Sequence, residues 1–263
     1  MIAARQIAFG KGASKGISAK SYVQDGLVAM WDGIENAGWG VHDESAMTWV
    51  DLSPSGCDMT NQQGEFSDGF RWLDNCFLQT DTSERRFFGR IGNIPQVIVD
   101  AVNSGDITVE GVQKHLRSGD AGCLLSQLEG TKNRFSILSP VFGGKAAFME
   151  PWVTYSVDYG LTKDTAPLIA VAPAYVCVRK TSGGVVSSRC IVGGGVYDAT
   201  GTVGNDVGMI ADGRLAIASM GASVFWNARA TASGIYAVRV YNRALTAEEI
   251  AYNYNIDKAR FGL

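Results

Sequence analysis

Acid–base cleavage of a glycosidic bond requires two carboxyl groups flanking that bond, so the glutamates decide first whether this chain can carry it out. They stand at Glu35, Glu44, Glu65, Glu84, Glu110, Glu129, Glu150, Glu248 and Glu249. Glu110 sits in the alternating run "DITVEGVQKHL", which suits a strand, but Gly111 to Gln113 offer no second acid. "GASKG", Gly12 to Gly16, has the G-x-S-x-G form of a nucleophile elbow. That elbow needs a strand before the serine, and no strand signal precedes this one. His42 and His115 are isolated, with no H-E-x-x-H and no carboxylate at triad spacing. No catalytic residue emerges from these spacings.

Binding chemistry has more to work with. The loop after "GLVAMWDG" carries Asp32, Glu35, Asn36, His42, Asp43 and Glu44. Hard cations want several oxygens on flexible loops, which makes Asp32 and Asp43 candidate Ca²⁺ ligands. The competing reading is a solvated loop, because no D-x-D-x-D-G spacing is present; no other cofactor is implied. Trp39, Trp152 and Trp226 can stack on sugar rings if exposed, the alternative being the core. Trp226 lies in the loop-like "VFWNARATASG" and, with Trp39, Asn227 and Arg229, forms the candidate glycan-binding set. Cys57, Cys76, Cys123, Cys177 and Cys190 make no CxxC pair, and their odd number fits free buried thiols better than a disulfide framework.

The elements that must position these groups are mostly strands. The chain has 263 residues with 32 glycines and 6 prolines, a balance suited to one large all-β domain with glycine turns. A net charge of −3 gives no general case for nucleic-acid binding. No apolar stretch approaches the roughly 20 residues needed to span a bilayer, and no signal-peptide core is visible at the start. Strand-like runs recur at "GLVAMWDG", "RFSILSP", "AAFMEPWVTYSVDYG", "PLIAVAPAYVCVRK", "VVSSRCIVGGGVYDATG", "RLAIASM" and "IYAVRVY". In "DITVEGVQKHL", Ile107, Val109 and Gly111 share one face, and Thr108, Glu110 and Val112 the other. Residues 84–104 admit either a helix or a strand at Gln96–Val102.

Both ends are distinctive. Residues 1–24 hold four cations and no acid, and they read as an N-terminal arm preceding a domain over 25–263. Within the arm, Arg5, Ile7, Phe9, Lys11 and Lys15 are candidates for attachment to an acidic or strand-edge surface. At the other end, Ile235, Ala237, Arg239 and Tyr241 alternate with Tyr236, Val238 and Val240. Thr246 then stands three residues before Glu249, the capping-box spacing, flanked by Leu245 and Ile250 as a staple. Ala247, Ile250, Ala251 and Tyr254 recur at helical spacing and predict a short helix with one apolar face.

Two stretches carry a family resemblance. "GLVAMWDG…TWVDLSPSGCDM" is similar to the opening of concanavalin A-like, laminin-G-type jelly rolls, with Trp31, Asp32, Trp49, Asp51, Leu52, Ser53 and Gly56 in corresponding places. "GIYAVRVYNRALTAEEI" resembles the closing strand and helix of the same family. The resemblance implies a two-sheet antiparallel jelly-roll sandwich, its last strand pairing near Leu27–Met30 and its last helix lying outside the sheets. Retaining hydrolases of this fold carry E-x-(hydrophobic)-D-x-x-E on one strand, and no glutamate here begins that pattern. The expectation is therefore a non-enzymatic adhesive component, most plainly of a bacteriophage virion, made in the cytoplasm and working in an assembled particle. Its expected partners are other copies or virion proteins, through the arm, and cell-surface glycan. A free carbohydrate-binding protein is the alternative, and a glycoside hydrolase a third.

Overall fold

The computed structural model describes residues 17–62, 64–80, 87–115, 123–129, 132–138, 145–150, 153–158, 172–202, 208–217, 219–220, 229–230 and 233–263. In chain order the first half comprises β1 (Leu27–Asp32), β2 (Thr48–Trp49), β3 (Met59–Asn61), β4 (Phe70–Leu73), β5 (Cys76–Gln79), β6 (Phe88–Ile91), α1 (Gln96–Ser104) and β7 (Ile107–His115). Then follow β8 (Cys123–Glu129), β9 (Lys132–Leu138), β10 (Lys145–Glu150), β11 (Val153–Asp158), β12 (Ala174–Lys180), β13 (Val185–Val192) and β14 (Gly195–Thr202). The chain closes with β15 (Arg214–Ile217), β16 (Ser219–Met220), β17 (Arg229–Ala230), β18 (Ser233–Tyr241) and α2 (Ala247–Phe261).

These strands make an antiparallel sandwich. One sheet is 8-stranded, in the order β14-β13-β12-β7-β18-β5-β4, with β1 also on β18. The other is 6-stranded, in the order β2-β3-β6-β15-β8-β9, and β10–β11 and β16–β17 form two further 2-stranded sheets. The last strand is central to the first sheet. One edge of β18 runs along β7, while its other edge takes β5 at Ser233–Ile235 and β1 at Ala237–Tyr241. The predicted pairing of the final strand with Leu27–Met30 is thus present, with Leu27 opposite Tyr241 and Met30 opposite Arg239.

Between the sheets lies an aromatic core. Trp49, Trp72, Phe70, Phe77 and Phe88 meet mainly edge to face, with Trp49 and Trp72 centroids 4.9 Å apart at 86°, the geometry favoured by ring quadrupoles. Gly111 on β7 leaves room for this packing; a Cβ there would lie 2.6 Å from Leu124 and 2.7 Å from the Ala237 carbonyl. Helix α1 settles the open assignment of residues 84–104. It buries Ile98, Val99, Ala101 and Val102 against the same core and ends at Gly105, whose φ of 98° favours glycine.

The opening motif is structural. The Trp49 indole donates to the Asp32 carbonyl (3.0 Å) and the Trp31 indole to that of Cys57 (2.9 Å). Asp51 accepts from the amides of Met30, Ser53 and Cys57 and from the hydroxyls of Ser53 and Ser55, so one carboxylate shapes the turn and ties it to β1.

The outer face of the 8-stranded sheet is covered by α2 and by residues 19–23. Thr246 caps α2 with a capping box, as its spacing predicts. Arg243 clamps Glu249 at 2.6 and 2.8 Å and, with the cap, holds the Glu249 carboxyl at about 2. The buried face of the helix differs from the predicted apolar stripe. Ala247 and Ala251 are exposed, whereas Ile250, Asn253, Ile256, Asp257, Arg260 and Phe261 are buried. The alternation of β18 differs too. A bulge between Ile235 and Ala237 in the pairing with β7 puts Ile235 in the inner core with Val238 and Val240.

Polar residues of α2 are buried because the sheet beneath them carries buried charge. Arg239 on β18 is fully enclosed and donates to Glu110 on β7 (3.2 Å) and to both oxygens of Asp257 on α2 (3.0 and 2.5 Å). Tyr22 lies under the guanidinium, its ring centroid 4.0 Å away, and its hydroxyl donates to Asp257 (2.6 Å). Asn253 bridges Glu110, the Tyr241 hydroxyl and the Val23 amide. Arg260 joins Asp32 and Glu35, and Glu35 accepts from the Ala19 amide (2.6 Å). Residues 19–23, assigned to the arm from sequence, are therefore part of the body; Arg5, Ile7, Phe9, Lys11 and Lys15 lie outside the described residues.

Two stability tests follow from this layer. Thr246→Ala should cost about 1 kcal/mol through loss of the cap, lowering the melting temperature by about 2–4 °C. Arg239→Met should cost about 3–5 kcal/mol in urea unfolding, because Glu110 and Asp257 would lose their buried counter-charge. An unchanged unfolding midpoint in the second variant would remove the ion cluster from its central role.

Candidate functional site

The cross-strand register builds a polar face at one end of the 8-stranded sheet. Strand β12 pairs with β13, and β13 with β14, so Cys177, Arg189 and Asp198 form one row and Arg179, Ser187 and Thr200 the next. Helix α2 stops short of these rows. Its first turn, through Ala247 and Ile250, forms one wall of a groove of about 180 Å³ whose floor is the two rows. Sequence reading did not single out these residues. Each is ordinary in its own strand, and only the β12–β13–β14 pairing makes them neighbours.

The groove's side chains are held in place. Arg189 and Asp198 face each other in a two-pronged pair, both contacts 2.8 Å, and this bonding lowers the Asp198 carboxyl from its ordinary value. Arg179 donates through Nε to Ser187 Oγ (3.1 Å) and through Nη1 to the Leu245 carbonyl (3.0 Å). Burial, reinforced by Glu110, pushes the Cys177 thiol well up, so its sulfur stays protonated. The site thus offers fixed donors, a carboxylate and hydroxyls beside a small apolar wall, a lining suited to hydroxyl-rich ligands.

Of the residues singled out from sequence, Trp39 lies on the surface, 39 % exposed. Its loop is stapled from within. Glu35 accepts from the Gly40 amide (2.9 Å), and the Asn36 side chain holds both the amide and the carbonyl of Asp43 (2.8 Å each). The Lys20 ammonium stands 5.3 Å from the Trp39 ring centroid, so the indole is paired with a cation. Trp152, Trp226 and Asn227 lie outside the described residues; Arg229 falls in β17, paired with Met220 of β16.

The two candidate Ca²⁺ ligands have different roles. Asp32 is fully buried and occupied: Arg260 donates to both its oxygens (2.6 and 3.0 Å), and the Ile34 and Glu35 amides donate to Oδ1. Burial nevertheless raises its carboxyl, with Arg260 opposing. Asp43 is exposed and binds the amide and hydroxyl of Ser45. Among the described residues, no group of three His, Cys, Asp or Glu side chains is placed to hold a metal ion. Glu110 is equally committed, to Arg239, Asn253 and the Tyr175 hydroxyl. Cys57, Cys76, Cys177 and Cys190 are free and buried, as their count suggested.

No protein-family model and no curated protein matches the chain. Solved structures do. A Trypanosoma rangeli sialidase in complex with sialic acid superposes on 89 % of this chain with a TM-score of 0.54 at 11 % identity. The binding domain of botulinum neurotoxin serotype D gives a TM-score of 0.56 over 89 % of this chain at 12 % identity. A structure described as a receptor-binding domain gives 0.56 over 89 % at 9 % identity. The chain spans 33 % of the sialidase chain and 52 % and 51 % of the two binding-domain chains. It shares their β-sandwich fold. The expectation of a non-enzymatic chain is corrected by this comparison, since the same fold forms part of sialidases, which are enzymes. A missing hydrolase motif does not place the chain outside the enzymes.

Proposed function

We propose that this chain is a glycan-binding sandwich of an adhesive assembly, of the kind a bacteriophage virion carries. One observation carries this reading: the groove between β12–β14 and α2, where Arg179, Ser187, Arg189, Asp198 and Thr200 present fixed donors and acceptors. Saccharide hydroxyls both donate and accept, and a rigid lining loses little freedom when it engages them. The resemblance of "TWVDLSPSG" and "VRVYNRALTAEEI" to concanavalin A-like jelly rolls supports the reading, as do neighbours described as binding domains. Binding goes through the chain's own groups, with no cofactor.

The proposed place of action is an assembled particle. Attachment is assigned to residues 1–16, with Arg5, Ile7, Phe9, Lys11 and Lys15 engaging another copy or another assembly protein. A second reading, a free carbohydrate-binding protein, is favoured by the exposed Trp39, which offers a ring for sugar stacking.

Two variants separate these statements. Thr200→Trp should fill the groove and remove binding on a glycan array while the melting temperature holds; undiminished binding would exclude the groove. Deleting residues 1–16 should leave melting unchanged, because residues 19–23 keep their contacts, yet prevent incorporation into the particle. Assembly of the truncated chain at the same concentration would overturn the attachment role of residues 1–16 and place the attachment surface elsewhere.

A further inference from the structure

We infer that the groove selects an anionic saccharide and seats its carboxylate or sulfate on Arg179; this rests on the glycan-binding reading above. The inference comes from charge accounting. Asp198 neutralises Arg189 through two parallel 2.8 Å contacts. Among the described residues, Arg179 has no such partner. Its two hydrogen bonds go to neutral oxygens, Ser187 Oγ and the Leu245 carbonyl, and neither uses Nη2.

Among the described residues, Asp198 is the only acid that lines the groove. Glu110, beneath the sheet surface, is bound by Arg239, Asn253 and Tyr175. Glu249 is clamped by Arg243. Glu248, in the exposed first turn of α2, does not line the groove. Among the described residues, the groove therefore carries one positive charge in excess, fixed by two hydrogen bonds. A guanidinium so held presents its remaining N–H groups as a flat fork that matches the oxygens of a carboxylate or sulfate. The first residue of α2, Ala247, lines the same groove, so the positive end of the 15-residue helix adds to the field. Ser187 and Thr200 share the Arg179 row and place hydroxyls where the ring hydroxyls of a bound sugar would lie.

Calorimetry with four probes tests this: an oligogalacturonate, its methyl ester, a sulfated galactan oligosaccharide and the neutral galactan oligosaccharide. The intact chain should bind at least one anionic probe about tenfold or more tighter than its uncharged counterpart. That preference should shrink between about 0.05 and about 0.5 M salt. Whether the uronate or the sulfate leads identifies the anion. Arg179→Met should erase the preference, bringing the affinity for the anionic probe down to that for its uncharged counterpart. Because that variant also loses the Leu245 contact, Asp198→Asn provides an independent test. It leaves Arg179 in place, frees Arg189, and should strengthen binding of the anionic probe. Equal affinity for charged and uncharged probes would overturn the anion assignment and leave glycan binding standing. A preference that survives Arg179→Met would overturn it as well. No binding of any probe would sink both.

Discussion

Arg239 is the residue on which the outer layer depends. Its guanidinium sits on the central sheet strand, fully enclosed, and a bare charge there would be prohibitively costly. Three separated parts of the chain answer it: Glu110 from β7, Asp257 from α2, and the Tyr22 ring from the N-terminal segment. Arg260 repeats the device one turn further along α2, reaching Asp32 and Glu35. Four carboxylates thus surround two guanidiniums, and burial raises the carboxyls of Asp32 and Glu110. Such a cluster adds little stability over an apolar core, but it is unforgiving of misplacement. It therefore fixes how α2 and residues 19–23 lie on the sheet.

That fixed placement creates the groove. If α2 were shifted along the sheet, Ala247 and Ile250 would no longer wall the Arg179 and Arg189 rows. Thr108 helps hold the approach, accepting from the Leu245 amide and donating to the Arg243 carbonyl (2.9 Å each). Leu245 in turn supplies the carbonyl that orients Arg179. The groove and the ion cluster are therefore linked through a short stretch of backbone, although no side chain belongs to both.

The sandwich itself is a shared scaffold. The same layering occurs in a sialidase and in binding domains with about a tenth of residues identical, so fold alone does not separate catalysis from adhesion. On this chain's outer face, the lining of the groove is set by the cross-strand rows of β12–β14.

Local chemistry made much of the scaffold readable. The alternation of "DITVEGVQK" assigned its two faces correctly, and the Thr246–Glu249 spacing located the cap of α2. Each depends on residues close in sequence, or on a period set by one element. Residues 84–104 stayed ambiguous because an apolar run fits helix and strand alike until the core beneath it is known. The bulge at Tyr236 was invisible, since a single extra residue leaves the composition of the strand unchanged. Asp257 and Asn253 lie off the predicted apolar stripe of the helix, and Tyr22 falls within the residues read as an arm. Their burial depends on Arg239 and Glu110, residues more than 100 positions away from at least one of their partners. The sequence alone determined an all-β sandwich with a capped closing helix. Only the tertiary structure decided which polar residues meet inside it and where a groove opens, because charge pairing and strand register act across distances that no local pattern records.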